Sequence, residues 1–132
     1  MGKKNPSKVV LVFDTGALIA FEKGDPKMRA LVRAALENNV KVVVPTPVVA
    51  QALRDKKRQV ALVSLLGGKT TETVPLTLPL AEAAGSLCGS SRTSDIVDAT
   101  VVLVAKQFQA LIVTSDEGDL RRLDPTAHLE QI

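Results

Sequence analysis

Residues 95–114 read DIVDATVVLVAKQFQALIVT, and the fold turns on how this stretch is divided. Thr100, Val101, Val102 and Val104 are β-branched and suit a strand. The length does not, because strands average about 5–6 residues. No Gly or Pro interrupts residues 95–109, which are apolar nearly all round between Asp98 and Lys106. The segment therefore reads as a buried central helix over 95–109, followed by a short strand, ALIVT (110–114). With a helix in this place, strand alternates with helix along the whole chain.

Upstream, KVVLVF (8–13) is a β-branched run bounded by Pro6 and by Asp14-Thr15-Gly16, and it reads as a buried strand. GALIAFEKGDP supplies one or two helical turns, stopped by Gly24 and Pro26. Asp25 as N-cap and Pro26 at the first helical position open a second helix, with Met28, Leu31, Val32, Ala35 and Leu36 on one face. KVVVP (41–45) is a second buried strand. TPVVAQAL follows with Thr46 as the expected cap and Pro47 at the first helical position. KRQVALVSLL (57–66) is a further helix, broken by GGK. ETVPL (72–76) reads as a third strand, and LAEAAGSLCG (80–89) as a helix ended by Gly89. After ALIVT, DEGDLRRL is a short helix or turn and HLEQI a candidate fifth, edge strand. Continuous apolar strands signify burial on both faces. The expected fold is a single α/β domain over 1–132 with a central, mostly parallel four- to five-stranded sheet.

Composition narrows the function. The chain has 132 residues, 45% of them hydrophobic but only 2% aromatic, so its core is aliphatic and it lacks the rings on which single-strand binders stack bases. A lone cysteine, Cys88, excludes an internal disulfide and fits a reducing compartment. It lies among small and apolar residues and reads as a buried structural thiol, not as the partner of the single histidine, His128. No run approaches the roughly 20 apolar residues of a membrane span. The basic start, MGKKNPSK, is followed by an apolar run too short for a signal peptide. A soluble, cytoplasmic protein is expected. The net charge of +3 is weak evidence for a polyanionic partner. Arg54, Lys56, Lys57 and Arg58 do cluster in RDKKR, and they are candidate contacts to a nucleic-acid backbone as well as an ordinary solvated surface.

The acids carry more. Asp14 directly follows the first strand, and Asp116 follows the fourth by one residue. Ligands of open α/β sheets bind beyond the carboxyl ends of strands, where strand order reverses. Asp95 and Asp98 at the start of the central helix would bring four carboxylates together, with Asp119 a short turn later. Like charges in one place raise each other's pKa, so such a cluster calls for a cation. Oxygen ligands without Cys or a usable His point to Mg²⁺ or Mn²⁺. A carboxylate-held divalent ion suits phosphodiester hydrolysis. Each acid also has an ordinary structural use. Asp14, Asp95 and Asp116 can cap helices, Asp98 can favour a helix dipole, and Asp25, Asp119 and Asp124 read as turn residues.

VLVFDTGALIA, VVVPTPVVAQAL and TSDIVDATVVLVAKQFQALIVTSDEGDL, in that order, resemble the PIN-domain family, which includes the VapC toxins of bacterial toxin–antitoxin pairs. The resemblance covers most of the chain. It implies a Rossmann-like three-layer α/β/α sandwich and a divalent-metal-dependent ribonuclease acting on RNA. It further implies a small cognate antitoxin as partner and, often, a homodimer. Carried over by position, Asp14, Asp98 and Asp116 match metal-binding acids, and Asp95 matches an additional acid of part of the family. Thr15 and Ser115 match small hydroxyl residues that can orient the carboxylates. Gln51 departs, because a glutamate is usual there; an amide binds a cation more weakly and cannot act as a base. Glu22 is a further candidate acid. Two alternatives follow: a catalytically weak or inactive PIN-like binding module, motivated by Gln51, and a phosphoacceptor receiver domain. The latter lacks its acidic pair after strand one and its acceptor acid after strand three.

Overall fold

The computed structural model describes residues 9–132; MGKKNPSK, including Lys8 of the expected first strand, lies outside the described residues. The strands are β1 (Val10–Phe13), β2 (Lys41–Pro45), β3 (Thr71–Val74), β4 (Leu111–Thr114) and β5 (Leu129–Gln131). They form one parallel sheet in the order β3-β2-β1-β4-β5. This order matches the first five positions of the Rossmann arrangement and differs from the 2-1-3-4-5 order of receiver domains. The receiver alternative therefore fails on topology.

The inner strands are short Val, Leu and Ile runs with no polar face, as a sheet covered on both sides requires. Val12, Phe13, Val43, Val44 and Val113 are fully buried. β3, at the edge, is mixed in composition (TETV) and has no fully buried residue. It stops at Val74 rather than continuing to Leu76, because Pro75 has no N–H to give to a ladder.

Four helices link β1 to β3: α1 (Thr15–Glu22), α2 (Pro26–Glu37), α3 (Thr46–Ala52) and α4 (Val60–Leu66). α5 (Leu78–Ser91) and α6 (Ile96–Phe108) carry the chain back to β4, and α7 (Glu117–Leu123) leads to β5. Right-handed crossovers place α1–α4 on one face and α5–α7 on the other. Accordingly α1 packs on α2, α3 and α4, while α5, α6 and α7 pack together. No helix among the described residues is long and apolar enough to cross a membrane.

The deciding stretch is a helix. Its β-branched residues cost a few tenths of a kcal/mol each in helix propensity. Burial outweighs this: Val101 and Val104 are fully buried, each contributing about 1.5–3 kcal/mol. Helix ends differ from the expected ones. α5 runs through Gly89 and stops at Arg92, which takes the left-handed conformation (φ 56°), and α6 stops the same way at Gln109 (φ 52°). α4 begins at Val60, because Lys57 and Arg58 lie in a turn. Thr46 is not a cap but the first residue of α3; its hydroxyl accepts the Leu76 N–H at 3.1 Å and ties α3 to the segment after β3. Asp25 does cap α2, accepting from the Met28 N–H at 2.9 Å. Cys88 is buried and free.

Candidate active site

Strand order reverses between β1 and β4, so the carboxyl ends of these two strands frame the place where this sheet type binds ligands. Asp14 leaves β1 at this point and is 5% exposed. Its Oδ1 accepts the Ala17 N–H at 2.8 Å, capping α1, and its Oδ2 accepts the Thr114 hydroxyl. The Thr114 oxygen in turn accepts the Asp116 N–H at 2.8 Å. One hydroxyl thus joins the ends of the two central strands. Asp116 holds the N-cap position of α7, yet its side chain makes no capping bond. Across the edge, Asp95 caps α6 by accepting the Asp98 N–H at 2.9 Å, and Asp98 sits half-buried in the first turn.

The electrostatics link these groups. Burial pushes the Asp14 carboxyl above its usual range; bonds from Thr114 and Ala17 pull it back, and the Asp116 charge pushes it up again. Asp98 is pushed up to about 7, first by burial, then by the charge of Asp95 and a hydrogen bond with it, then by Asp14 and Asp119. Asp119 is raised by its hydrogen bond with Asp116 and by that residue's charge. Asp14, Asp95, Asp98, Asp116 and Asp119 therefore share one field. Asp119, expected as a turn residue, belongs with the acids. Asp124 does keep a turn role, accepting from the Thr126 N–H and hydroxyl. Glu22 closes the far end of α1 from Asp14.

Among the described residues, no group of three or more His, Cys, Asp or Glu side chains is positioned to hold a metal ion. The acids stand instead as pairs, Asp95 with Asp98 and Asp116 with Asp119. In chemistry the set fits a hard divalent cation: all donors are oxygens, and their mutual repulsion is what a cation relieves. Asp95, Asp116 and Asp119 are exposed.

The neighbouring polar residues behave differently from expectation. Thr15 donates to Gln51 Oε1 at 2.7 Å, not to a carboxylate. The Ser115 hydroxyl lies against Gly16, where an added Cβ would stand 2.1 Å from it. The hydroxyl that orients an acid is Thr114, which the sequence reading passed over. Its signal was present: Thr114 is the only polar residue of ALIVT, and a hydroxyl ending a strand buried on both faces needs a partner. In the basic segment, the Arg54 guanidinium donates to the Ala50 and Leu53 carbonyls at 2.7 and 3.0 Å, and Arg58 faces Asp55 at 3.6 Å. Gln59 knits this turn by accepting from the Arg54 and Asp55 N–H groups. Lys56 and Lys57 are exposed.

The family model of the PIN domain matches residues 11–124. The chain belongs to the PIN domain family. PIN domains are generally nucleases, and as a rule use divalent metal ions. The all-parallel sheet between two helix layers is the PIN sandwich. Solved structures share this PIN fold. VapBC2 from Rickettsia felis, bound to a DNA fragment from its promoter, aligns with a TM-score of 0.68 at 14% identity, over 94% of this chain and 99% of that one. FitAB bound to an IR36 DNA fragment aligns at 0.61 with 18% identity, over 92% and 94%. FitAcB from Neisseria gonorrhoeae aligns at 0.61 with 19% identity, over 90% and 95%. Among curated proteins, none matches the chain.

Proposed function

We propose that this PIN domain is a Mg²⁺- or Mn²⁺-dependent endoribonuclease and the toxin of a VapBC-type toxin–antitoxin pair, working in the cytoplasm. The observation that carries the proposal is the shared field of acids at the ends of β1 and β4 and the start of α6. Asp14, Asp98 and Asp116, with Asp95, are the residues that would hold the ion. When bound, the ion supplies charge stabilisation at the scissile phosphate and acidifies water. Thr114 keeps the Asp14 carboxylate in a fixed orientation, and burial keeps bulk water from screening it. Burial and the neighbouring acids push Asp98 up to about 7, so it is only partly ionised near neutral pH, and a bound cation would favour its charged form. Arg54, Lys56, Lys57 and Arg58 offer positive charge for the RNA backbone, beginning three residues beyond Gln51.

The likeness to VapBC2, FitAB and FitAcB supports a small antitoxin as partner, and homodimerisation is proposed with it. The test is cleavage of an RNA panel with Mg²⁺ or Mn²⁺. Asp14→Asn and Asp98→Asn are expected to lose more than about 100-fold in rate, beyond the roughly 10–100-fold typical of losing a residue that only supports a metal ligand. Equal cleavage by the wild type and both variants would remove these acids from catalysis.

Gln51 favours a second reading, a PIN-like module that binds without cutting. Calorimetry with Mn²⁺ separates the two: tight binding abolished by Asp98→Asn, together with RNA turnover, excludes the silent module.

A further inference from the structure

Gln51 occupies the place where the family resemblance expects a glutamate, and the structure shows how its amide is used. Thr15, which follows Asp14 and opens α1, donates its hydroxyl to Gln51 Oε1 at 2.7 Å. One of the two lone pairs of the atom that could coordinate a cation is therefore already taken. The planar amide then directs its nitrogen away from Thr15. The Gln51 side chain is exposed, and its Nε2 bonds nothing among the described residues. A glutamate in this place would offer only acceptors; Gln51 offers two N–H donors. These donors stand beside Thr15, the residue after Asp14, and three residues before Arg54, with Lys56 and Lys57 exposed just beyond. A cation has no use for an N–H donor. A phosphodiester strand passing from the basic turn to the acids does have one.

We infer that Gln51 is a substrate-contacting residue and not a metal ligand: its amide N–H groups hydrogen-bond a phosphate oxygen of the bound strand beside the acids, and Thr15 fixes the amide's orientation. This rests on the nuclease function proposed above. The exchange of glutamate for glutamine then moves one position of the site from holding the ion to holding the strand.

The experiment pairs two measurements on Gln51→Ala and Gln51→Glu, with folding of each checked by circular dichroism. Mn²⁺ affinity is measured by calorimetry. Strand affinity is measured by fluorescence anisotropy of a fluorescein-labelled single-stranded RNA oligonucleotide, with Ca²⁺ in place of Mn²⁺. Gln51→Ala is expected to leave the Mn²⁺ Kd within about twofold and to weaken RNA binding about 3–10-fold, the scale of one lost hydrogen bond. Gln51→Glu is expected to weaken RNA binding further, through like charge, while tightening Mn²⁺. A Gln51→Ala variant that loses tenfold or more in Mn²⁺ affinity, or keeps full RNA affinity, overturns the inference and leaves the nuclease proposal standing. A wild-type chain that binds no RNA overturns both.

Discussion

The Thr114 hydroxyl has two partners, the buried Asp14 carboxylate and the Asp116 N–H. Thr114→Val keeps the shape and deletes both bonds. Leaving the buried Asp14 oxygen without its donor is expected to cost about 1–3 kcal/mol, read as a lower urea midpoint, and Thr114→Ser should restore most of it. Asp98 gives a prediction of a different kind. Its folded value of about 7 lies above the ordinary 3.8, so between these pH values the native chain keeps a proton that the unfolded chain has released. Stability without added metal should therefore fall as pH rises through that window, with the full cost present above about pH 7. Melting temperatures at pH 5 and pH 8 check this, and Asp98→Asn should flatten the slope. The acids were legible in the sequence because position alone, at a strand end or helix start, sends them to one edge. The contacts of Thr114 and Gln51 were not. They depend on which neighbour each polar group faces, and that is settled by elements far apart in sequence.

At the scale of elements, the division of 95–114 into helix and strand was legible because length overrides β propensity when no turn residue intervenes. Helix ends were less legible. The sequence signal for a stop is glycine, yet Gly89 lies inside α5, while Arg92 and Gln109 take left-handed conformations that L-residues rarely adopt. Gln109 ends α6 and only Ala110 separates it from β4, so the chain must reverse within two residues. The strain can be removed. Gln109→Gly relieves a left-handed cost of about 1–2 kcal/mol but adds unfolded-state freedom of about 0.5–1 kcal/mol. A net gain of about 0.5 kcal/mol is expected as a higher urea midpoint.

For the whole molecule, the proposed metal site predicts a stability that depends on cations. An ion that binds the folded chain alone stabilises it by about 2.7 kcal/mol at 100 times its Kd. Added Mn²⁺ should therefore raise the melting temperature, and more at pH 8 than at pH 5, where Asp98 is protonated; scanning fluorimetry with and without EDTA measures both effects. The alternation of strand and helix made the parallel sheet legible, but not its order, because apolar runs look alike and do not state which one returns to β1. That order governs how the protein is made. The Thr114–Asp14 bond spans 100 residues, and β4 pairs directly with β1. On the ribosome β1, β2 and β3 can line up early, while one flank of β1 waits for β4 to emerge. Until then Asp14 stands at the end of β1 without the Thr114 hydroxyl that orients it and without the Asp116 charge beside it. The acids at the ends of β1 and β4 are thus brought together only when β4 pairs with β1.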